Sequence, residues 1–263
     1  ESDNKKFKAH FTCARKGGKN VLEVKDLNIG YDHSLAEINL KVMQAQRIAI
    51  IGKNGHGKST FVKTLMELVP PLSGEILFGH QIDTAYFDQQ LIEFTGEKTV
   101  LEEIWNENPD MSMTEVRTLL GSFLFSADDV FKSVSVLSQG EKVRLYFCKL
   151  VLKKANFLIL DEPTAGVDPQ ERIRIRNFIS EIAQNRIVIL ATHIVSDVES
   201  IAKEILLLKK GNIIGQGEPY KLIEGIRKHV FEITCTNKQL NKIQKEFVVS
   251  NIRHLEEGFA VKI

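Results

Sequence analysis

A chain of 263 residues with 43% hydrophobic content can bury a substantial core, as one large domain or as one domain with a small appendage. Its 35 basic side chains face 34 acidic ones, a formal charge of +1, which excludes a global pull towards nucleic acid or an anionic membrane and leaves only local contacts with such partners. Cys13, Cys148 and Cys235 are far apart and odd in number, which fits reduced cytosolic thiols better than a disulfide framework or a metal site, and no apolar run approaches the roughly 18 residues of a membrane span.

The opening "ESDNKKFKAHFTCARKGGKN" carries six basic side chains and a Gly-Gly pair but no apolar period, so residues 1–19 read as a basic linker or tail. The start at Glu1, without a methionine, is what a fragment or a processed chain would show. "VLEVKDLNIGY" and "AEINLKV" alternate like antiparallel strands with one wet face, whereas "RIAII" is a continuous buried run, so a mixed sheet is expected. Then comes "GKNGHGKST", residues 52–60, with Gly52, Gly57, Lys58 and Ser59 on the positions of Gly-x-x-x-x-Gly-Lys-Ser, directly before the helical "FVKTLMELV". Glycines let backbone N–H groups curl round a triphosphate at the mouth of a helix. Lys58 adds a positive charge against the β and γ phosphates, and Ser59 offers a hard oxygen to a magnesium ion.

After this cradle, "PPLSGEILFG" is a turn and a strand, and "DTAYFDQQ" is a strand ending on Gln89 and Gln90. Residues 99–152 turn helical and look like an insertion: "SMTEVRTLLGSFL" opens with a capping box from Ser112 to Glu115, and "QGEKVRLYFCKLVL" sets Val143, Phe147, Leu150 and Val151 on one stripe. "NFLILDE" is a buried strand ending in two carboxylates. "DPQERIRIRNFISEIA" is a helix with an Asp cap and Pro169 at its first position, and "RIVILATH" is a buried strand ending in His193. Strands alternating with helices after such a cradle predict a three-layer α/β domain with its ligand at the carboxyl ends of the strands. The last 45 or so residues, 219–263, differ. "HVFEITC" and "VVSNIRHLEEGFAVKI" alternate like exposed strands around the amphipathic "NKQLNKIQKEF", a small βαββ appendage.

Several side chains can serve the cradle. Asp161, ending its strand, can hold magnesium through water, and Glu162 beside it can polarise the water that attacks the γ phosphate. His193 ends the neighbouring strand, where it could orient that water; alone, a His there is more often structural. Gln89 could sense the metal or the water, with Gln90 as the competing assignment. "LSQGEKVR" forms a second anion site at a helix mouth, with Ser138 Oγ and the Gly140 N–H as donors. One chain has no need of a second triphosphate cradle unless it belongs to a neighbour's nucleotide.

From about residue 20 to 218 the chain resembles the ATP-binding cassette (ABC) ATPases, with seven motifs in the family's order: "NIGY", "GKNGHGKST", "YFDQ", "LSQGE", "FLILDE", "AGVD" and "ATH". The resemblance implies a P-loop NTPase fold of the ABC type, with an antiparallel β subdomain and a helical subdomain. It implies that Tyr31 stacks on adenine, that Asn54, Gly55, Gly57, Lys58, Ser59 and Thr60 bind the nucleotide, and that Ser59, Gln89 and Asp161 serve Mg2+. Glu162, His193 and Gln89 would be catalytic. It further implies ATP and Mg2+ as ligands and a head-to-tail pair of cassettes, in which Ser138, Gly140 and Glu141 face the opposite subunit's ATP and Asp168 lies near the seam. Gln139 and Glu141 depart from the usual glycine and glutamine of the signature.

Residues 1–164 look like the second cassette of an ABC-F protein, the cytosolic branch that acts on ribosomes, whereas residues 165–263 look like the ATP-binding subunit of a membrane exporter. A hybrid joined near "LDEPT" is the resulting expectation. Membrane-spanning transporter subunits and the ribosome are the alternative partners, with a cytoplasmic location that is peripheral at the inner face of the membrane in the first case. An engineered hybrid with weak ATPase activity and no natural partner is the third reading.

Overall fold

The computed structural model describes residues 13–91, 94, 96–227, 231–247, 249, 251–255 and 258–262. The chain divides into two compact units, one running through Gln216 and the other starting at Gly217.

The first unit holds two sheets. β1 (Asn20–Gly30), β2 (Ser34–Met43) and β4 (Ser73–Phe78) form an antiparallel sheet in the order β2-β1-β4. β3 (Arg47–Ile51), β5 (Thr84–Asp88), β6 (Phe157–Asp161), β7 (Ile187–Thr192), β8 (Glu204–Lys209) and β9 (Asn212–Gly217) form a six-stranded sheet in the order β5-β6-β7-β3-β8-β9. Its pairs from β5 to β8 are parallel. The mixed sheet expected from the early alternating strands is corrected here: those strands build a sheet of their own. The physical reason lies in their pattern. From Ala36 on, β2 alternates buried and exposed and can cover only one face, whereas every residue of β6 and β7 is buried.

The continuous apolar runs of β6 and β7 are divided between two cores. Phe157, Ile159, Ile187 and Ile189 join a cluster with Phe61, Leu65, Leu27 and Ile38, while Leu158, Leu160, Val188 and Leu190 join one with Phe87, Leu145, Phe147 and Phe178. Successive side chains leave a strand on opposite faces, so a sheet covered on both sides needs apolar residues at every position.

Helix α1 (Lys58–Leu65) follows β3. α2 (Val100–Trp105), α3 (Met113–Ser122) and α4 (Gln139–Leu152) fill the expected helical stretch, and α5 (Pro169–Ile182) and α6 (Val195–Ile201) flank β7. The capping box of Ser112 and Glu115 starts α3 as expected, and similar boxes at Thr99/Glu102 and Ser138/Glu141 start α2 and α4. On α4, Val143, Phe147, Leu150 and Val151 are all buried. Of the expected basic tail, residues 1–12 lie outside the described ones. Residues 13–19 are tied down: Ala14 N–H donates to Lys154 O at 2.9 Å and the Arg15 guanidinium meets Asp83 at 2.7 Å.

The second unit carries α7 (Pro219–Arg227), β10 (Glu232–Cys235), α8 (Asn237–Glu246), β11 (Asn251–Leu255) and β12 (Gly258–Lys262), with an antiparallel sheet ordered β10-β12-β11. This is the βαββ order expected, preceded by a helix that the sequence reading did not anticipate. The first two residues of "HVFEITC" lie outside the described ones.

Candidate functional site: a phosphate cradle facing two strand-end carboxylates

β3, β6 and β7 are neighbours running the same way, so the loops leaving their carboxyl ends meet at one edge of the sheet. The cradle leaves β3. A Cβ on Gly52 would lie 2.5 Å from the Leu208 carbonyl oxygen, so the loop starts hard against β8. Gly55 at φ 80° has nothing within 4 Å of where its Cβ would be, and Gly57 at φ 94° is the N-cap of α1 without any side-chain cap. These positive φ values favour glycine, and the uncapped first turn of α1 offers its N–H groups to an anion. Asn54 and Gly55 are exposed, and Thr60 is buried in the first turn of α1.

Lys58 is only 4% exposed, yet its ammonium is 3.3 Å from Glu162 Oε1 and donates to Lys53 O at 3.3 Å. Glu162 Oε1 is itself buried without a hydrogen-bond partner among the described residues, and Oε2 lies 2.9 Å from His193 Nδ1. Glu162 adopts φ 47°, its N–H held by Ala191 O at 2.9 Å, so the backbone turns out of line directly after β6 and aims the carboxylate at the cradle. Lys58, Glu162 and His193 therefore stand in one chain of contacts.

Ser59 Oγ donates to Asp161 Oδ1 at 3.1 Å. Burial pushes the Asp161 carboxyl up from 3.8 to about 6; the nearby Asp88 and Glu162 charges add to this, and Ser59 and Lys63 oppose it. A buried carboxylate that binds a proton this readily, paired with a hydroxyl and flanked by acids, is a set of hard oxygens short of a cation. The uncapped helix mouth, the buried Glu162 oxygen held only by the Lys58 ammonium and this oxygen set fit a triphosphate with a divalent ion.

The other anticipated residues lie further out. Tyr31 is 60% exposed in the β1–β2 turn, which lies beside the cradle because a Cβ on Gly57 would meet Ile29 and Ala36 at 3.7 Å. Gln89 begins a short 3-10 turn and donates to the Ala165 carbonyl, so its described bond ties it to the loop after Glu162 and not to Ser59 or Asp161. Gln90 is exposed and donates its N–H to Asp88 Oδ1 at 2.8 Å. At the mouth of α4, Ser138 Oγ donates to Glu141 Oε2 at 2.8 Å, serving its own helix, and Gly140 is buried because its Cβ position lies 2.7 Å from Glu171 Cγ. Asp168 caps α5, accepting from Gln170 and Glu171 N–H at 3.0 Å.

Sequence reasoning missed the Lys58–Glu162 pair, the buried Asp88 with its Lys63 partner, and the bond from Thr164 Oγ1 to buried Asp197. The spacing of Ser59 and Lys63, four apart on one helix face, was an available signal for the second. Nothing local links Thr164 to Asp197.

This arrangement defines a P-loop nucleotide-binding domain with a strand-end acidic pair. The family model described as ABC transporter matches residues 35–165. The putative ATP-binding protein YdiF of Bacillus subtilis is 39% identical over 214 residues, covering 80% of this chain and 33% of its own length. ABC transporter F family member 2 of Arabidopsis thaliana is 33% identical over 220 residues, 82% of this chain and 32% of its own. ATP-binding protein Uup of Haemophilus influenzae is 31% identical over 224 residues, 83% and 34%. The chain belongs to the ATP-binding cassette ATPases, and it spans about a third of the length of these curated relatives. An alignment over four-fifths of the chain necessarily runs through Thr164, so single relatives carry both sides of the expected junction and the hybrid reading has no support.

Proposed function

We propose that this chain binds Mg-ATP between its P-loop and the strand-end acids, closes head-to-tail on a second cassette, and hydrolyses ATP to drive a partner. Residues 20–218 form the cassette in this reading, and residues 219–263 are an appendage. The observation that carries it is the contact chain from Lys58 through Glu162 to His193, beside the Ser59–Asp161 pair.

Lys58 is drawn from Glu162 by the more negative γ phosphate, which frees the carboxylate to accept a proton from the attacking water. His193, already bonded to the other oxygen, fixes the direction of that carboxylate. Ser59 and Asp161 would hold a magnesium ion, with Gln89 as a further ligand; the ion would supply charge against the phosphate oxygens. Tyr31 stacks on the base. Ser138 and Gly140, with Glu141 setting the cap, meet the γ phosphate bound by the second cassette, and Asp168 stands at the seam.

The partner in this reading is the ribosome, on the resemblance of residues 1–164 to an ABC-F cassette; relatives named as F family members, which align over about four-fifths of the chain, support that branch. The rival partner is a set of membrane-spanning transporter subunits. Among the described residues no helix is long and apolar enough to cross a membrane. With either partner, this reading puts the cassette on the cytoplasmic side. ATP turnover that requires Mg2+ and is lost in Glu162→Gln tests the chemistry. Co-sedimentation with ribosomes against co-purification with membrane subunits tests the partner.

A further inference from the structure

Asp88 has no role in the reading above, yet it is among the most deeply buried charges in the chain, 2% exposed at the end of β5. Its register partner across the strands is Asp161. Two carboxylates side by side at the buried edge of a sheet repel unless something offsets them. Asp88 Oδ2 accepts from Tyr86 OH at 3.1 Å and lies 3.2 Å from the Lys63 ammonium, and Oδ1 accepts from Gln90 N–H at 2.8 Å. These partners engage both oxygens, which leaves Asp88 poorly placed to be a metal ligand itself.

Lys63 comes from α1, one turn after Ser59. The helix thus presents two rungs to the strand ends, Ser59 to Asp161 and Lys63 to Asp88. Because Asp88 and Asp161 are register partners, the ammonium that meets Asp88 stands at the strand end next to the one carrying Asp161. Left alone, it would face the same space as a divalent ion bound by Ser59 and Asp161.

We propose that Asp88 is a positioning residue for the cation site, acting through Lys63: it holds the ammonium in an ion pair and cancels the charge that would otherwise repel the metal. The inference rests on the reading that Ser59 and Asp161 hold Mg2+. It extends that reading to two residues outside the phosphate cradle and the strand-end pair.

The test is calorimetric titration of Mg2+ into protein preloaded with a non-hydrolysable ATP analogue, which reads the metal without turnover. Asp88→Asn keeps an oxygen for the Gln90 N–H and presents an amide N–H to the Tyr86 hydroxyl, which can accept it, but leaves Lys63 uncompensated. It should weaken Mg2+ by about tenfold, the effect of one extra charge facing a divalent ion across a partly hydrated site. Adding Lys63→Met to Asp88→Asn should return the affinity to within about twofold of wild type, because the repelling charge is gone; a site merely damaged by the first change would not recover. Lys63→Met alone should not weaken Mg2+. Wild-type affinity in Asp88→Asn, or a double variant as weak as that single one, would overturn the inference. Ser59→Ala is the control on the underlying reading: unchanged Mg2+ affinity there would remove the cation site itself, whatever Asp88 does.

Discussion

The Lys58 ammonium stands 3.3 Å from Glu162 Oε1, so the cation of the cradle is paired with the carboxylate that the proposed hydrolysis needs free. Both groups are largely shielded from water, which makes the pair sensitive to loss of either member. Lys58→Ala should weaken ATP binding by about 10- to 100-fold, the range for losing a hydrogen bond to a charged group. A nucleotide titration that shows unchanged affinity would remove Lys58 from the phosphate site.

Glu162→Gln should behave in the opposite way. The amide can still contact His193 but cannot take a proton from water, so turnover should fall by about 10²- to 10⁴-fold while ATP affinity is held or rises, because Lys58 no longer has a charged competitor for its ammonium. Steady-state ATPase assays with a parallel binding titration separate the two effects.

The same variant tests the head-to-tail pair. With hydrolysis blocked, Mg-ATP should accumulate a closed dimer, seen as a shift in size-exclusion chromatography, and Ser138→Arg should abolish the shift by placing a bulky side chain at the exposed mouth of α4. A monomer at all nucleotide concentrations would argue against a homodimer.

Asp161 gives a pH signature. Its folded-state value of about 6 lies above the ordinary 3.8, so the folded chain binds this proton more tightly than the unfolded one. The contribution is fully present below about pH 4 and is lost as the pH rises through about 6. In metal-free buffer at pH 7, Asp161→Asn should therefore be more stable than wild type by up to about 3 kcal/mol, with the difference fading towards pH 4. Urea denaturation at both pH values measures it. Mg-ATP should reverse the order by stabilising only the wild type.

Thr164→Val should cost about 1–3 kcal/mol, because the hydroxyl of Thr164 satisfies the buried Asp197 carboxylate and a methyl cannot. The midpoint of urea unfolding should fall with the slope unchanged.

Much of this protein is written locally. The glycine spacing of residues 52–59 specifies a loop whose turns call for glycine, and the observed positive φ values at Gly55 and Gly57 are the reason. The apolar runs of β6 and β7 require a sheet covered on both faces, and Ser112 with Glu115 marks a helix start that the chain uses. Such features depend on neighbours a few residues apart, so the sequence by itself determined them. Tertiary structure alone decided that the early alternating strands form a separate sheet, that Lys58 rests on Glu162, and that Asp88 and Asp161 lie in register with Lys63 between α1 and the strand ends. Those contacts join residues from 25 to 104 positions apart in the chain. They arise because parallel strands bring their carboxyl ends to one edge, and strand order across a sheet is set by how the faces pack, which no local pattern encodes.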